Sequence, residues 1–459
     1  MPVLLEGAYF LSILSFLGGL KYLSKPKKAK LGNVIAGIGM ILAVCISFIS
    51  EIYEYRNSTN ISIITITLIA GTLVGKVLSK KIKMTQMPQL VSLFNATGGA
   101  CAVLLVIVEA NQVYNFSFLQ SLSLIFGAIT GAVAATGSII ALLKLSGNFK
   151  GLSPVRNKLL AKVSLCLILL LMVSFTSWSI GLNFFQLVVA ISILAFALGV
   201  FFVSPIGGAD MPVVISLLNA VTGVATALAG SLFNNKIMLA GGVIVGASGL
   251  ILTSMMCKAM NRSLWKVITG KYNATSSNED TAQDIIETNY SETALLLGFA
   301  KKVAIIPGYG LAVAQAQHLC KQLENLLTDK GVLVHYVIHP VAGRMPGHMN
   351  VLLAEANVNY NSLKEMSGIN ESLDQYDIAL IIGANDVVNP AAESNPNSPI
   401  YGMPIIQAYK CKAAVVLKRS MNKGYAGVAN ELFNEPNCKI LFGDAKDSIQ
   451  NINNELKLV

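Results

Sequence analysis

The chain has 459 residues, 54% of them hydrophobic and 13% charged, against ~25% charged residues in ordinary soluble domains. Its net charge of +10 belongs to one end, since residues 1–262 carry 18 basic and 5 acidic side chains whereas residues 263–459 carry 16 and 19. A basic excess confined to an apolar half is the mark of membrane topology, and it argues against a nucleic-acid partner.

Apolar segments close to the ~20 residues that cross a bilayer occur at about 3–23, 31–50, 60–79, 87–108, 118–143, 159–178, 184–203, 211–232 and 237–257. This gives about nine expected spans. The first has neither a basic leader nor a small-residue cleavage motif and reads as a retained span. Loop one carries Lys21, Lys25, Lys27, Lys28 and Lys30, loop three Lys76, Lys80, Lys81 and Lys83, and loop five Lys144, Lys150, Arg156 and Lys158. The even loops offer little beyond Arg56 and Lys236, and loop seven holds Asp210 without a base. Basic loops stay inside, so the N-terminus is expected outside and the C-terminal half in the cytoplasm.

Two spans repeat one pattern. Met87-Pro88-Gln89-Leu90-Val91-Ser92-Leu93-Phe94-Asn95-Ala96-Thr97-Gly98-Gly99 matches the stretch from Met211 to Gly223 at seven of thirteen positions, Asn95 falling on Asn219. With four spans between them both run inward to outward, the parallel kind of internal repeat. Each Asn lies seven residues after a Pro that suits a helix start, roughly 10 Å into the membrane at ~1.5 Å per residue. Two readings fit these asparagines: polar glue between helices, or stations on a water or proton path. Asp210, at the cytoplasmic end of the second repeat, is either a helix cap or a proton donor and acceptor. Ser248 joins Asn95, Asp210 and Asn219 as a proton-path candidate. All four histidines (His318, His335, His339 and His348) follow residue 300, so no imidazole of this chain lies in the spans.

Residues 261–300 read as a polar hinge and linker between a membrane domain, 1–260, and a third region, 301–459. Seven cysteines without a C-x-x-C pair predict free thiols and no metal site. Beyond residue 300, apolar runs Val303 to Ile306, Val332 to Ile338, Ile378 to Ile382, Ala413 to Leu417 and Lys439 to Phe442 alternate with helical stretches Leu311 to Thr328 and Asp444 to Leu456. That alternation predicts an α/β doubly wound parallel sheet, a Rossmann-like domain.

Within it, Gly308-Tyr309-Gly310-Leu311-Ala312-Val313-Ala314 reads as a glycine turn between a strand and a helix, the geometry that brings backbone amides to a pyrophosphate. By itself such a turn is equally an ordinary strand-to-helix connection. No acidic residue stands after the second expected strand, where an NAD-type fold holds ribose hydroxyls; the sequence there is His339-Pro340-Val341-Ala342-Gly343-Arg344. Arg344 suits a phosphate or is a surface residue. Gly383-Ala384-Asn385-Asp386 follows the next clear strand, and Lys418-Arg419-Ser420 with the loop through Gly424 and Tyr425 follows the one after. Adjacent Lys and Arg at a strand's carboxyl end suit a 2′-phosphate, or else form a solvated turn. Together these favour NADP(H) over NAD(H).

The segments 308–317, 339–356, 383–392, 418–427 and 441–446 resemble, in order, the signatures of the beta subunits of proton-translocating nicotinamide nucleotide transhydrogenases. The repeated spans and the hinge from Lys258 to Arg262 are similar to that family's membrane domain, so the likeness covers essentially the whole chain. It implies a proton-conducting membrane domain and a cytoplasmic domain that binds NADP(H) in reversed orientation. Gly308, Gly310 and Val313 would border the dinucleotide, with Tyr309 and Ala314 in the same turn. Arg344 and Asp386 would line the pocket beside Gly383 and Asn385. Lys418, Arg419 and Ser420 would hold the 2′-phosphate, and Tyr425, after Gly424, would belong to a loop folding over the nucleotide. Asp386 would couple protonation to nucleotide release. Some relatives have a relay histidine where this chain has Asn95; others place it on a membrane helix of the alpha chain, the arrangement expected here.

Only one dinucleotide fingerprint is present, so NAD(H) is expected on that alpha subunit, in a dimer of alpha–beta units in the cell's inner membrane. A different class of reading is a transporter or channel that senses NADP(H) without redox turnover. A quinone-reducing enzyme lacks any flavin, haem or iron–sulfur pattern.

Overall fold

The structure, a computed structural model, describes all residues except 1, 24–27, 56–57, 83–85, 113–115, 150–153, 178–182, 208–209, 262, 270–284, 344–346, 423 and 425. The expectations for Arg262, Arg344 and Tyr425, and for the loop charges Lys25, Lys27, Arg56, Lys83 and Lys150, lie outside the described residues. The chain forms two compact units, Met1–Ile206 with Val214–Leu252, and Gly207–Val213 with Thr253–Val459.

Long helices build the first unit: α1 (Pro2–Leu23), α2 (Ala29–Tyr55), α3 (Ser58–Lys81), α4 (Met87–Ala110), α5 (Phe118–Leu145), α6 (Pro154–Ser177), α7 (Phe184–Val203), α8 (Met211–Leu232) and α9 (Lys236–Ala259). Among the described residues seven of these, α2 to α5 and α7 to α9, are long and apolar enough to cross a membrane, and α6 holds a shorter apolar stretch, Leu159–Met172. This is a membrane protein. Outward-facing Ile63, Ile66, Ile69 and Leu73 on α3 are exposed, as side chains solvated by lipid would be.

With no hydrophobic drive between helices in lipid, close approach of small residues does the packing. A side chain at Gly99 of α4 would run into the Gly131 carbonyl and Ala135 amide of α5, and one at Gly223 of α8 into the backbone of Gly246 on α9. Hydroxyls add cross-links: Ser12 donates to the Gly39 carbonyl at 2.8 Å, joining α1 to α2, and Thr136 to the Phe196 carbonyl at 2.8 Å, joining α5 to α7.

The second unit is an α/β domain. After α10 (Leu264–Thr269) come β1 (Ile286–Glu287), α11 (Tyr290–Phe299), β2 (Lys302–Pro307), α12 (Tyr309–Val313), α13 (Gln317–Asp329), β3 (Leu333–Ile338), α14 (His348–Glu355), β4 (Leu363–Glu365), α15 (Met366–Ile369), β5 (Ile378–Ile382), α16 (Ala391–Ser394), β6 (Ala413–Lys418), β7 (Cys438–Phe442) and α17 (Ala445–Leu456). The sheet order is β1-β7-β6-β5-β2-β3-β4, and every pairing is parallel. Without the short edge strand β1 this is the doubly wound order in which the chain reverses direction between β2 and β5, the point where such sheets open a crevice. Strands β2 and β5, buried on both faces, need the continuous apolar runs that made them legible.

Three details depart from expectation. The range 261–300, read as linker, contains α10, β1 and α11; Asn289 starts α11 by accepting the Glu292 amide at 2.8 Å, and β1 pairs with β7. The expected helix from Leu311 to Thr328 is broken, because Gln315 takes a left-handed φ of 51° and the Ala316 amide turns back to the Leu311 carbonyl at 3.2 Å. Strand β4 was not anticipated at all, being only three residues long.

Candidate nucleotide site

At the carboxyl end of β2 the chain enters the glycine turn. The Gly308 amide donates to the Ile382 carbonyl and the Gly310 amide to the Gly383 carbonyl, both at 2.9 Å. Two amides expected to face a pyrophosphate are thus engaged by the end of β5. Any side chain on Gly308 would strike the backbone of Gly383 and Ala384, and one on Gly310 or Gly383 would strike the other's backbone. Gly383 also has a left-handed φ of 62°, a conformation glycine adopts without strain. The glycines therefore let two adjacent strand ends touch. Helix α12 spans only five residues, so a long helix dipole, which the sequence pattern suggested, does not stand behind this turn. Tyr309 and Ala314 are half-buried and Val313 is exposed.

The carboxyl ends of β5 and β6 bring the other candidates together. Lys418, half-buried, donates to Asn385 Oδ1 at 3.4 Å and lies 4.3 Å above the Phe433 ring, a cation over the negative face of an aromatic. Burial pushes the Lys418 ammonium below its ordinary range, and the Asp386 carboxylate pushes it back up. Asp386 Oδ2 accepts the Ala426 amide at 2.9 Å, and its Oδ1 accepts from Asn385 Nδ2 at 3.2 Å. Gly424 packs so closely that a side chain there would hit both Asp386 and Asn385. Arg419 and Ser420 are exposed next to Lys418. A half-buried cation beside an exposed guanidinium and hydroxyl, at the carboxyl end of a strand next to the switch point of a parallel sheet, is a donor set that fits a phosphorylated nucleotide.

Residues not singled out from the sequence complete the framework. Asn430 Nδ2 donates to the Asn385 carbonyl at 3.1 Å, and Asn389 Nδ2 to the Ala429 carbonyl at 2.9 Å, so the segment after β6 is sewn to the segment after β5. His339, buried at the end of β3, accepts the Val341 amide on Nδ1 at 3.2 Å and bonds the Pro404 carbonyl through Nε2 at 2.7 Å. The only sequence cue to the two asparagines is that each precedes a short helical turn; the distant partners of the three residues lie 40 to 65 positions away.

In the helical unit Asn95 is buried and donates to the Ile215 carbonyl of α8 at 3.4 Å, which ties the first repeat to the second. Its counterpart Asn219 is half-buried. Ser248 is exposed and turns its hydroxyl to the Val245 carbonyl of its own helix at 3.1 Å. Asp210, buried, belongs to the short segment Gly207–Val213 of the other unit, where its amide closes a turn on the Gly207 carbonyl at 3.1 Å.

The family described as NAD(P) transhydrogenase beta subunit matches residues 5–455. NAD(P) transhydrogenase subunit beta of Rhodospirillum rubrum is 41% identical over 464 aligned residues, covering 97% of this chain and 97% of that protein. The protein of the same name from a defined strain of that species aligns with the same identity and coverage.

Proposed function

The chain belongs to the NAD(P) transhydrogenase beta subunit family, and from that footing we propose that it binds NADP(H) in its α/β domain and couples hydride exchange with NAD(H) on an alpha subunit to proton movement across the membrane. The observation that carries this reading is the meeting of Lys418, Asn385 and Asp386 at the carboxyl ends of β5 and β6, beside the switch between β2 and β5.

A bound nicotinamide supplies the hydride, so the chain's own residues need only bind, orient and time. Lys418, with Arg419 and Ser420 beside it, offers charge and donors for a 2′-phosphate, which sets NADP(H) apart from NAD(H). Gly308, Tyr309, Gly310, Val313 and Ala314 form the floor of the crevice, and Gly383 allows its closeness. Asp386 holds the backbone after β6 through the Ala426 amide. A proton taken up by that carboxylate weakens the bond and frees the segment, which is how protonation reaches nucleotide release. Arg344 and Tyr425 keep the roles the family resemblance gives them, pocket wall and covering loop.

Asn95, Asp210, Asn219 and Ser248 are proposed for the proton path. The path is completed by a histidine of the alpha subunit, since this chain has none before residue 300. The proposed division is a proton-conducting domain at 1–260 and a cytoplasmic domain at 301–459, joined by the range 261–300, whose β1 and α11 belong with the cytoplasmic domain, with the N-terminus outside and two alpha–beta units per assembly. Hydride transfer requires the two nicotinamide carbons within ~3.5 Å, so the alpha subunit docks over the crevice.

The test is hydride transfer in proteoliposomes holding this chain and its alpha partner, with an NAD analogue and internal pH followed together. Reduction of the analogue by NADPH with a matching pH change is the expected result. NADPH binding without any hydride reaching the analogue would refute the redox reading and leave a nucleotide-sensing transporter.

A further inference from the structure

Lys144 is counted from the sequence among the bases of a cytoplasmic loop, yet its ammonium is half-buried against main chain. It stands in the last turn of α5 and donates to three carbonyls at the end of α7, those of Val203 at 3.4 Å, Ile206 at 2.7 Å and Ser204. A helix leaves its last carbonyls without partners and concentrates negative partial charge there. An ammonium has three donors and no acceptor. Its three donors thus meet three carbonyls, an arrangement that no solvated loop lysine requires.

What the lysine holds is specific. Ser204 and Ile206 are buried, and the Ile206 amide closes a turn on the Val203 carbonyl at 3.2 Å. The chain then passes through Gly207 to Asp210 and enters the second repeat helix at Met211. The residue after Lys144 serves the first repeat in the same way, for Gln89 Nε2 of α4 donates to the Leu145 carbonyl at 3.4 Å. The end of α5 is thus a junction, tied on one side to the opening turns of the helix that bears Asn95 and on the other to the turn that leads to Asp210 and Asn219.

We propose that Lys144 is a positioning residue of the proton path: by capping α7 it fixes the turn from which the chain runs into Asp210 and the second repeat. This rests on the reading of Asp210 as a proton-path group. A lysine that merely set topology or glued helices together would affect every activity of the assembled protein alike, whereas one that positions the path affects the proton-coupled reaction alone.

The experiment uses proteoliposomes of the complete alpha–beta assembly and two rates. One is the proton-coupled reduction of an NAD analogue by NADPH. The other is the cyclic reaction, in which NADH gives a hydride to NADP+ held on this chain and the NADPH so formed passes it to the analogue, with no net proton. Lys144→Met, which removes all three of these bonds, is expected to lower the coupled rate by about tenfold or more, the equivalent of at least one hydrogen bond to a charged group, while the cyclic rate changes less than about twofold. Lys144→Arg restores a substantial part of the coupled rate, since it keeps charge and donors. Equal loss in both reactions, or unchanged proton movement in Lys144→Met, overturns the proposal. Should Lys144→Met fail to accumulate, the ratio of the two rates in Lys144→Arg decides: a shifted ratio supports positioning and an unchanged ratio overturns it. Asp210→Asn is run in parallel. If Asp210→Asn moves protons normally, the reading of Asp210 fails on its own account. If it stops proton movement and the Lys144 variants do not, only the positioning role is lost.

Discussion

His339 shows how a single side chain can be decided by its partners. Its Nδ1 accepts the Val341 amide, so the proton resides on Nε2 and is donated to the Pro404 carbonyl. Burial lowers its pKa to about 4, with the Pro404 carbonyl drawing it partly back. The unfolded chain binds this proton near pH ~6.5. Between those values the unfolded state holds more protons than the folded one, so stability rises with pH and is lost as pH falls from ~6.5 toward 4. Amide-exchange protection of Tyr336–Ile338 in the full chain is therefore expected to drop across that window, and to drop less in His339→Gln, which stays neutral. Identical pH slopes in the two proteins would contradict this account. Nothing local in the sequence announces such a histidine, because one of its two partners lies 65 positions away. Lys418 was legible by contrast, since a basic pair directly after an apolar strand states its own position in a parallel sheet. Asp377, at the opposite end of that sheet, illustrates the same limit: Lys412 and the Lys302 and Lys301 amides hold its carboxyl down to about 2, yet only the folded register brings them together.

Among elements, the repeated helices are the instructive case. Seven shared positions made α4 and α8 look interchangeable, and their surroundings are not. Asn95 of α4 is buried and bonded to α8, whereas Asn219 of α8 is half-buried; α4 presses on α5 through Gly99 and Gly131, α8 on α9 through Gly223, Gly242 and Gly246. A side chain at Gly223 meets backbone and not a movable side chain, so Gly223→Val must part α8 from α9. Overpacking of this kind costs ~1–3 kcal/mol, and it is read as a lowered unfolding temperature in detergent together with loss of cross-linking between cysteines placed on the two helices. An unchanged temperature with intact cross-linking would mean that the seam yields. Element boundaries were otherwise legible where hydropathy alone sets them. They were not legible at Gln315, where a left-handed residue divides one apparent helix into two, or at β1 and β4, whose two and three residues carry too little pattern to read.

At the scale of the molecule, the fold class could be read because two different solvents wrote two different patterns. Lipid demands uninterrupted apolar helices, and a sheet covered on both faces demands short apolar runs spaced by helices. Acidic side chains outnumber basic ones only beyond residue 262, as the surface of a domain in water requires. The proposed sidedness rests on the same charge distribution. Protease added to inverted vesicles is expected to digest the region beyond residue 300 and to leave it intact in right-side-out vesicles; the reverse pattern would overturn the proposed orientation.

The contact between Gly310 and Gly383 carries a kinetic consequence. Because the ends of β2 and β5 are joined by the Gly308 and Gly310 amides with no side chain between them, that wall of the crevice moves only if the sheet itself opens. On the proposed reading, a dinucleotide held in the crevice would leave on the other side, past the residues following β6, where Ala426 is fastened to Asp386 and Asn430 to Asn385. Its residence time would then be governed by a few polar bonds near the carboxyl end of one strand, and a chain built this way could hold a nucleotide for many turnovers or surrender it at once without altering the joined ends of β2 and β5.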